Sequence, residues 1–423
     1  MEQTASHSSE PRSPRWITPT VLAILFATFF SDVSHEMCTA VLPLYLATVG
    51  LGPAALGLIE GVADFLVSLS KLAGGYVGQQ VAHKRPWASL GYLVTTLGTW
   101  GIAFVSSLAA VLTLRSVAWV GRGFRSPLRD YLLADAVPPQ YYARAYGLER
   151  AGDMLGAVVG PLLAFVLLAV GLELRSILLW SLLPGLLAAG AFFFFTQERS
   201  PSADRSTSGS TATTATARAL PPFPPLFWYF LLGVFLFGLG DFSRTFVVWL
   251  AAQALGEGES GFSSVPGSLS LAVLLYMVHN LVSALAAYPV GMVGDRRAKL
   301  PLLVAGYALG VVTNFLLALF SGSLGWLLTA ICLSGVYIAV EETLEKAVAA
   351  ELLPRERRSL GFGLLACGNA VGDMVSSLYV GLLLQAGYGV LAFGLAAGIG
   401  AVGVLWMLWL LRKVRTAQGM SGR

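Results

Sequence analysis

Arg115, Arg122, Arg125 and Arg129 stand at intervals of seven, three and four residues inside one apolar run. On a helix turning 100° per residue these offsets hold all four within about 80° of one another, a basic stripe about 21 Å long. Asp32 and Glu36 lie one turn apart in another apolar run, with His35 and Met37 beside them. Two carboxylates about 6 Å apart in a partly desolvated site disfavour double ionisation, so one of them is suited to taking up a proton. Asp241, with Arg244 three residues on, stands in a context like that of Asp32: Gly240-Asp241-Phe242-Ser243 echoes Ser31-Asp32-Val33-Ser34. Glu341, Glu342 and Glu345 make an acidic set, Glu60, Asp64 and Lys71 share one helical face, and Glu149, Arg150 and Asp153 fall together in a further run. Asp373 and His279 are isolated, and a satisfied buried polar group is the plainer reading of each. The chemistry open to such groups is binding an ionised solute, carrying a proton, or pairing permanently to hold helices together.

The elements that carry these charges are set by composition. Of 423 residues 56% are hydrophobic and 12% charged, with mean hydropathy +0.72, against roughly 25% charged in soluble chains. So few charges cannot make a water-facing surface. Each ionisable side chain at mid-bilayer depth then costs at least about 2.5 to 3.5 kcal/mol, which makes it a functional candidate. The net charge of +4 does not point to nucleic acid, because the basic residues lie between apolar runs. Three scattered cysteines, Cys38, Cys332 and Cys367, give neither a disulfide framework nor a zinc site. A bilayer core about 30 Å thick needs about 20 apolar residues per helix, and such runs recur twelve times. The expected class is an all-α membrane protein of twelve transmembrane helices in two pseudo-symmetric six-helix bundles. Its expected divisions are a cytoplasmic tail over 1–16, an N-terminal bundle over 17–195, a flexible linker over 196–222 rich in Ser, Thr, Ala and Pro, a C-terminal bundle over 223–411, and a tail over 412–423. About 18 of the 27 Lys and Arg fall on one side of this arrangement against Arg175 alone on the other, which puts both termini and the linker in the cytoplasm.

The two halves repeat one another. Ala134-Asp135-Ala136-Val137-Pro138 returns as Ala350-Glu351-Leu352-Leu353-Pro354, and one short glycine-bearing basic loop occurs twice about 215 residues apart. In this register Arg125 matches Glu341, Arg129 matches Glu345, and Asp130 matches Lys346. Charge is therefore inverted between the fourth helix of each half.

These features resemble the major facilitator superfamily. Gly291-Met-Val-Gly-Asp295-Arg296-Arg297-Ala-Lys299 is similar to that family's loop signature, and Gly152-Asp-Met-Leu-Gly156-Ala-Val-Val-Gly160-Pro161 to its glycine-proline helix signature. Gly121-Arg-Gly-Phe-Arg125-Ser-Pro-Leu-Arg129-Asp130 resembles an arginine-rich fourth helix found in one group of bacterial members. The first-half loop carries Gln79 and Gln80 where Asp-Arg is expected, so any gating role of the two loops is unequal. The resemblance implies a central cavity lined by the first and fourth helix of each half, a basic wall facing an acidic one. It also implies gating by Gly291, Asp295 and Arg296, with Glu149 and Asp153 as latch partners able to reach Arg125 and Arg129.

Other motifs lack their context. Gly398-Ile-Gly400-Ala-Val-Gly403 lies inside a hydrophobic helix, where close helix packing accounts for it, and no phosphate-binding loop, HExxH or GxSxG occurs. The sequence is read as a non-enzymatic secondary transporter of a small polar, anionic or zwitterionic solute. It is expected to be proton-coupled, monomeric and multi-pass in the plasma (inner) membrane, without cofactor or resident metal. The alternatives are a cation or transition-metal carrier built on Asp32, Glu36, Met37 and His279, and a non-transporting receptor or scaffold.

Overall fold

The computed structural model describes residues 16–50, 53–198, 220–254, 271–320 and 322–421. Most of the expected N-terminal tail and linker, and the side chains of Glu60 and Asp64, lie outside the described residues. A segment surrounded by hydrocarbon must satisfy its own backbone N–H and C=O groups, so each apolar run becomes a helix. The first half holds α1 (Pro19–Thr48), α2 (Pro53–Gln80), α3 (Arg85–Gly101), α4 (Leu108–Ala136), α5 (Tyr142–Ala169), α6 (Leu174–Trp180) and α7 (Leu182–Phe195). The second holds α8 (Pro225–Gly238), α9 (Thr245–Ala254), α10 (Leu271–Arg296), α11 (Lys299–Phe320), α12 (Leu324–Leu352), α13 (Arg358–Gln385) and α14 (Gly389–Ser421).

Twelve crossings result, because α6 with α7 and α8 with α9 are each one pass. The first pair is jointed at Ser181, whose hydroxyl donates to Leu178 O at 2.7 Å. The first apolar run of the second half, one of the twelve counted above, is not one continuous helix but is broken over residues 239–244. There the chain runs against α14 so closely that a Cβ on Gly240 would lie 2.5 Å from Ala396 O and Gly400 N. Close packing also explains Gly403, whose Cβ would meet Phe237 N at 2.6 Å. At the other end of α14 the expected tail after residue 411 continues as helix to Ser421. Eight crossings are long and apolar enough to span a bilayer by composition alone. The remaining four are the charge-bearing α2 and α4, the 17-residue α3, and the broken α8–α9 pass.

The repeat is visible in the helix ends. Gly171 and Gly387, in register between the halves, both take positive φ (89° and 80°). Each closes the same cap: Leu172 N donates to Leu167 O and Gly171 N to Leu168 O, as Tyr388 N does to Leu383 O and Gly387 N to Leu384 O. Only a residue without a Cβ takes this turn at no steric cost. Large apolar side chains such as Val170, Phe194, Leu285, Leu378 and Leu405 are 64–74% exposed, an exterior made for lipid. The protein is a multi-pass membrane protein.

The halves meet mainly through α5 on α10 and α2 on α13. Both contacts are backbone-close: a Cβ on Gly291 would lie 2.4 Å from Ala143 O, and one on Gly75 would lie 2.9 Å from Gly363 Cα. They lie towards the end of the bundle from which residues 198 and 220 emerge, the linker end.

Candidate functional site

At mid-depth Arg122 of α4 donates to Asp32 of α1 (2.5 Å) and lies 3.8 Å from Asp153 of α5. Arg150 holds Asp153 at 2.9 Å and reaches across the halves to Glu342 of α12 at 3.9 Å. Lys346, one turn beyond Glu342 (3.6 Å), lies 3.6 Å from Glu149 and 3.9 Å from Asp130. Arg129 closes the chain on Glu149 (2.8 Å) and Asp130 (2.9 Å). Five carboxylates and four cations thus form one continuous network from mid-depth toward the linker end. Buried charges are tolerated when paired in this way, and removing one member leaves its partner uncompensated.

Arg129 meets Glu149 as the sequence suggests, but Arg125 meets neither Glu149 nor Asp153. It is 2% exposed, donates to Ser31 Oγ at 2.7 Å and stacks over Tyr92 with its guanidinium 3.8 Å from the ring centroid. The register of α4 on α3, set by the close approach of Gly91 to Gly121, aims it into its own half. Arg115 is fully buried and donates to Thr39 Oγ1 at 3.1 Å. The arginine stripe therefore splits, with Arg115 and Arg125 turned into the bundle and Arg122 and Arg129 on the network. Glu36 is half-buried against Gly160 of α5. The carboxylate that shares a guanidinium with Asp32 is Asp153.

In the second half Asp241 and Arg244, both in the broken pass, form an ion pair. Tyr337 Oη donates to Asp241 at 2.6 Å, and Arg244 donates to Asn314 Oδ1 at 3.3 Å. Asn314 returns a bond to Gly240 O at 3.0 Å, so the break is tied to α11. Glu345 accepts from Tyr307 Oη and from Asn369 Nδ2, the latter at 2.6 Å. Glu341, 7% exposed one turn away, has no hydrogen-bond or ion-pair partner among the described residues. The expected facing of a basic α4 wall and an acidic α12 wall is not formed: Arg125 does not reach Glu341, and the direct contact between the two helices is the reverse pair, Lys346 of α12 with Asp130 of α4. Two charges at this depth are accessible: Asp373 of α13 is exposed, and the Glu342 side chain is 37% exposed. Asp373 is not the satisfied buried group the sequence suggests. His279 is buried as expected and bonded through Nδ1 to Asn280 at 3.2 Å, but its Nε2 meets no hydrogen-bond partner among the described residues.

The linker end is latched. Gly291, Asp295 and Arg296 belong to α10 rather than to a loop, because the helix runs to Arg296. Asp295 accepts from Ala143 N (3.0 Å) and Arg144 N (3.1 Å) in the first turn of α5, and lies 3.3 Å from Arg144 Nε and 3.8 Å from Lys299. A carboxylate at a helix N-terminus satisfies orphan donors and opposes the dipole. Arg296 itself is exposed. A second latch that the sequence reading does not single out joins Arg355 to Asp135 at 2.7 Å. The matching end of α2 has no such carboxylate and packs through Gly75 and Gly78 against Gly363 and Ser359. Asp295→Asn is expected to raise the population open at this end at least about tenfold, the loss of one charge-assisted bond being ~1.5 kcal/mol or more. Gln79→Ala should leave it unchanged. Labelling of Ser359→Cys, buried between α13 and α2, by a permeant maleimide measures the difference; equal rates in the two variants would remove the asymmetric latch.

A profile of the Major Facilitator Superfamily matches residues 24–279 and 262–422. An uncharacterised MFS-type transporter of Methanocaldococcus jannaschii is 23% identical over 383 residues, 90% of this chain and 92% of that protein. Among solved structures, the human organic anion transporter superposes with a TM-score of 0.72 at 18% identity, covering 92% of this chain and 99% of that one. The E. coli fucose:proton symporter superposes with a TM-score of 0.68 at 15% identity, covering 92% and 98%. At these identities the superpositions speak for the fold alone, two six-helix halves around a central axis. The profile runs through both halves and confirms what the loop and helix signatures suggest, so the chain belongs to the major facilitator superfamily of membrane transporters.

Proposed function

We propose that this transporter moves a small polar solute, anionic or zwitterionic, by proton-coupled alternating access, acting as a monomer in the plasma (inner) membrane. The observation that carries the reading is the coexistence of a latched linker end with solvent-exposed charges at mid-depth, Glu342 and Asp373. Accessible charges at mid-depth together with a shut linker end make up one of the two states that alternating access requires. With the linker and both termini cytoplasmic, this state faces outward. The Asp32–Arg122–Asp153 cluster offers the solute a charged contact that can exchange partners. Glu341 is the better proton carrier: it is buried with no ion-pair partner among the described residues, and although Arg244 lies in its field, the groups around it, Glu345, Asp373 and Glu342, are mostly acidic. Asp32, by contrast, already has Arg122. A fold shared with an organic anion transporter and with a sugar:proton symporter is in keeping with this chemistry. Among the described residues no three His, Cys, Asp or Glu side chains converge as a metal set, so the metal-carrier alternative gains no support from the geometry. A scaffold would have no use for so many charges at mid-depth.

Uptake of a panel of small anions and zwitterions into proteoliposomes, with and without an inward proton gradient, tests the reading; gradient-independent uptake of every solute would sink the coupling. Sidedness has its own test. Cysteine placed at Ser208 should be labelled only from the cytoplasmic face of intact cells, and labelling from outside would invert the topology.

A further inference from the structure

We propose that Lys71 and Asp373, one from each half, hold opposite ends of a zwitterionic substrate, an inference that rests on the transporter reading above. Lys71 lies on the face of α2 that also carries Gly75 and Gly78, the residues that meet Gly363 and Ser359 of α13. Its own carbonyl comes within 2.9 Å of where a Cβ on Gly363 would stand. The ammonium is therefore carried on the side of α2 turned to the other half, and it is half-exposed. Among the described residues no carboxylate lies within ion-pair distance of it. Asp373 sits midway along α13, one turn beyond Asn369, whose amide reaches inward to Glu345 at 2.6 Å. Leu378 and Leu382, 64% and 59% exposed, mark the opposite, lipid-facing side of that helix. The Asp373 side chain is exposed and meets no hydrogen-bond or ion-pair partner among the described residues. Its backbone is fixed to the broken pass, since Ser376 Oγ donates both to Asp373 O (3.0 Å) and to Asp241 O (2.9 Å).

Two opposite charges, neither with an ion-pair partner among the described residues, thus stand on the two bodies that must move relative to one another, the Asp373 carboxylate lying beside Gly238 of α8. They feel one another's field, together with that of Glu342. A monoanion drawn to Lys71 would approach the carboxylates of Asp373 and Glu342, and a monocation drawn to Asp373 would approach Lys71, with Lys346 and Arg122 behind it. A small solute carrying an anionic and a cationic end offsets both charges, and bridging them pulls the halves together over the open end. Binding and closure then share one set of contacts.

Purified protein in nanodiscs, melted in the presence of glycine, β-alanine or γ-aminobutyrate and of the single-charge analogues propylamine and propionate, tests the proposal. At least one zwitterion should raise the melting temperature of the wild type while both single-charge analogues fail to. Lys71→Gln and Asp373→Asn should each weaken that probe's apparent affinity at least about tenfold, equivalent to ~1.4 kcal/mol. Lys71→Arg and Asp373→Glu should keep most of it, which separates lost charge from lost fold. A shift absent from the wild type, or undiminished in both neutral variants, overturns the proposal and leaves the pair as a closing gate. Labelling of Ser359→Cys in the same samples reports independently whether the linker end opens. Opening without zwitterion binding removes this inference alone, whereas a linker end that never opens removes the transporter reading beneath it.

Discussion

Arg122→Ala is expected to abolish transport and to lower the melting temperature together. The side chain neutralises two carboxylates, Asp32 at 2.5 Å and Asp153 at 3.8 Å, whose side chains are only 2% and 12% exposed. Its loss leaves buried charge uncompensated, at a cost of about 3 to 5 kcal/mol. A stripe of arginines read as a binding surface predicts lost transport too, but with the fold intact. Adding Asp32→Asn to Arg122→Ala should restore the melting temperature, since Arg150 still holds Asp153 at 2.9 Å. Transport should stay absent in the double variant. An unchanged melting temperature in Arg122→Ala would return Arg122 to the role of a free substrate ligand.

Glu341→Gln should eliminate accumulation driven by a proton gradient while sparing solute exchange. Glutamine has the shape of the protonated acid and needs no counter-ion, so the fold should be unaffected, and exchange need not release the proton. A gradient of one pH unit, about 1.36 kcal/mol, supports about tenfold accumulation per coupled proton in the wild type, and the variant should show none. Asp32→Asn should not reproduce this split, because it removes an ion-pair partner rather than a proton carrier. Normal accumulation by Glu341→Gln would shift the coupling site to Glu345 or to the Asp32 and Glu36 pair.

Crossings, halves and charge inversion were legible because hydropathy, basic bias and repeats are properties of single segments. The unequal latch was legible too, since Gln79 and Gln80 stand where the second half has Asp295 and Arg296. What escaped depends on the register of one helix against another. Nothing local tells that Arg125 turns to Ser31 and Tyr92 while Arg122 three residues earlier finds Asp32. The bonds of Arg150 to Glu342 and of Arg355 to Asp135 join residues from different halves, which no spacing within a half can reveal. The break in the seventh crossing had a local signal, Gly238-Leu239-Gly240-Asp241, but its cause is the approach of Ala396 and Gly400. Tyr307, Tyr337 and Asn369 are the neutral donors of the acidic site, and Asn314 beside it accepts from Arg244. Their one trace in the sequence was polarity inside apolar helices.

Alternating access is tested most directly by two inter-half distances measured together in lipid vesicles. One pair of spin labels at Gln140 and Arg297 spans the linker end, and another at Val170 and Tyr388 spans the opposite end, all four sites being exposed. The two distances should change in opposite senses as a proton gradient and a transported solute are applied, the linker-end pair lengthening as the other shortens. A linker-end distance that stays fixed under every condition, or two distances that lengthen together, would contradict it.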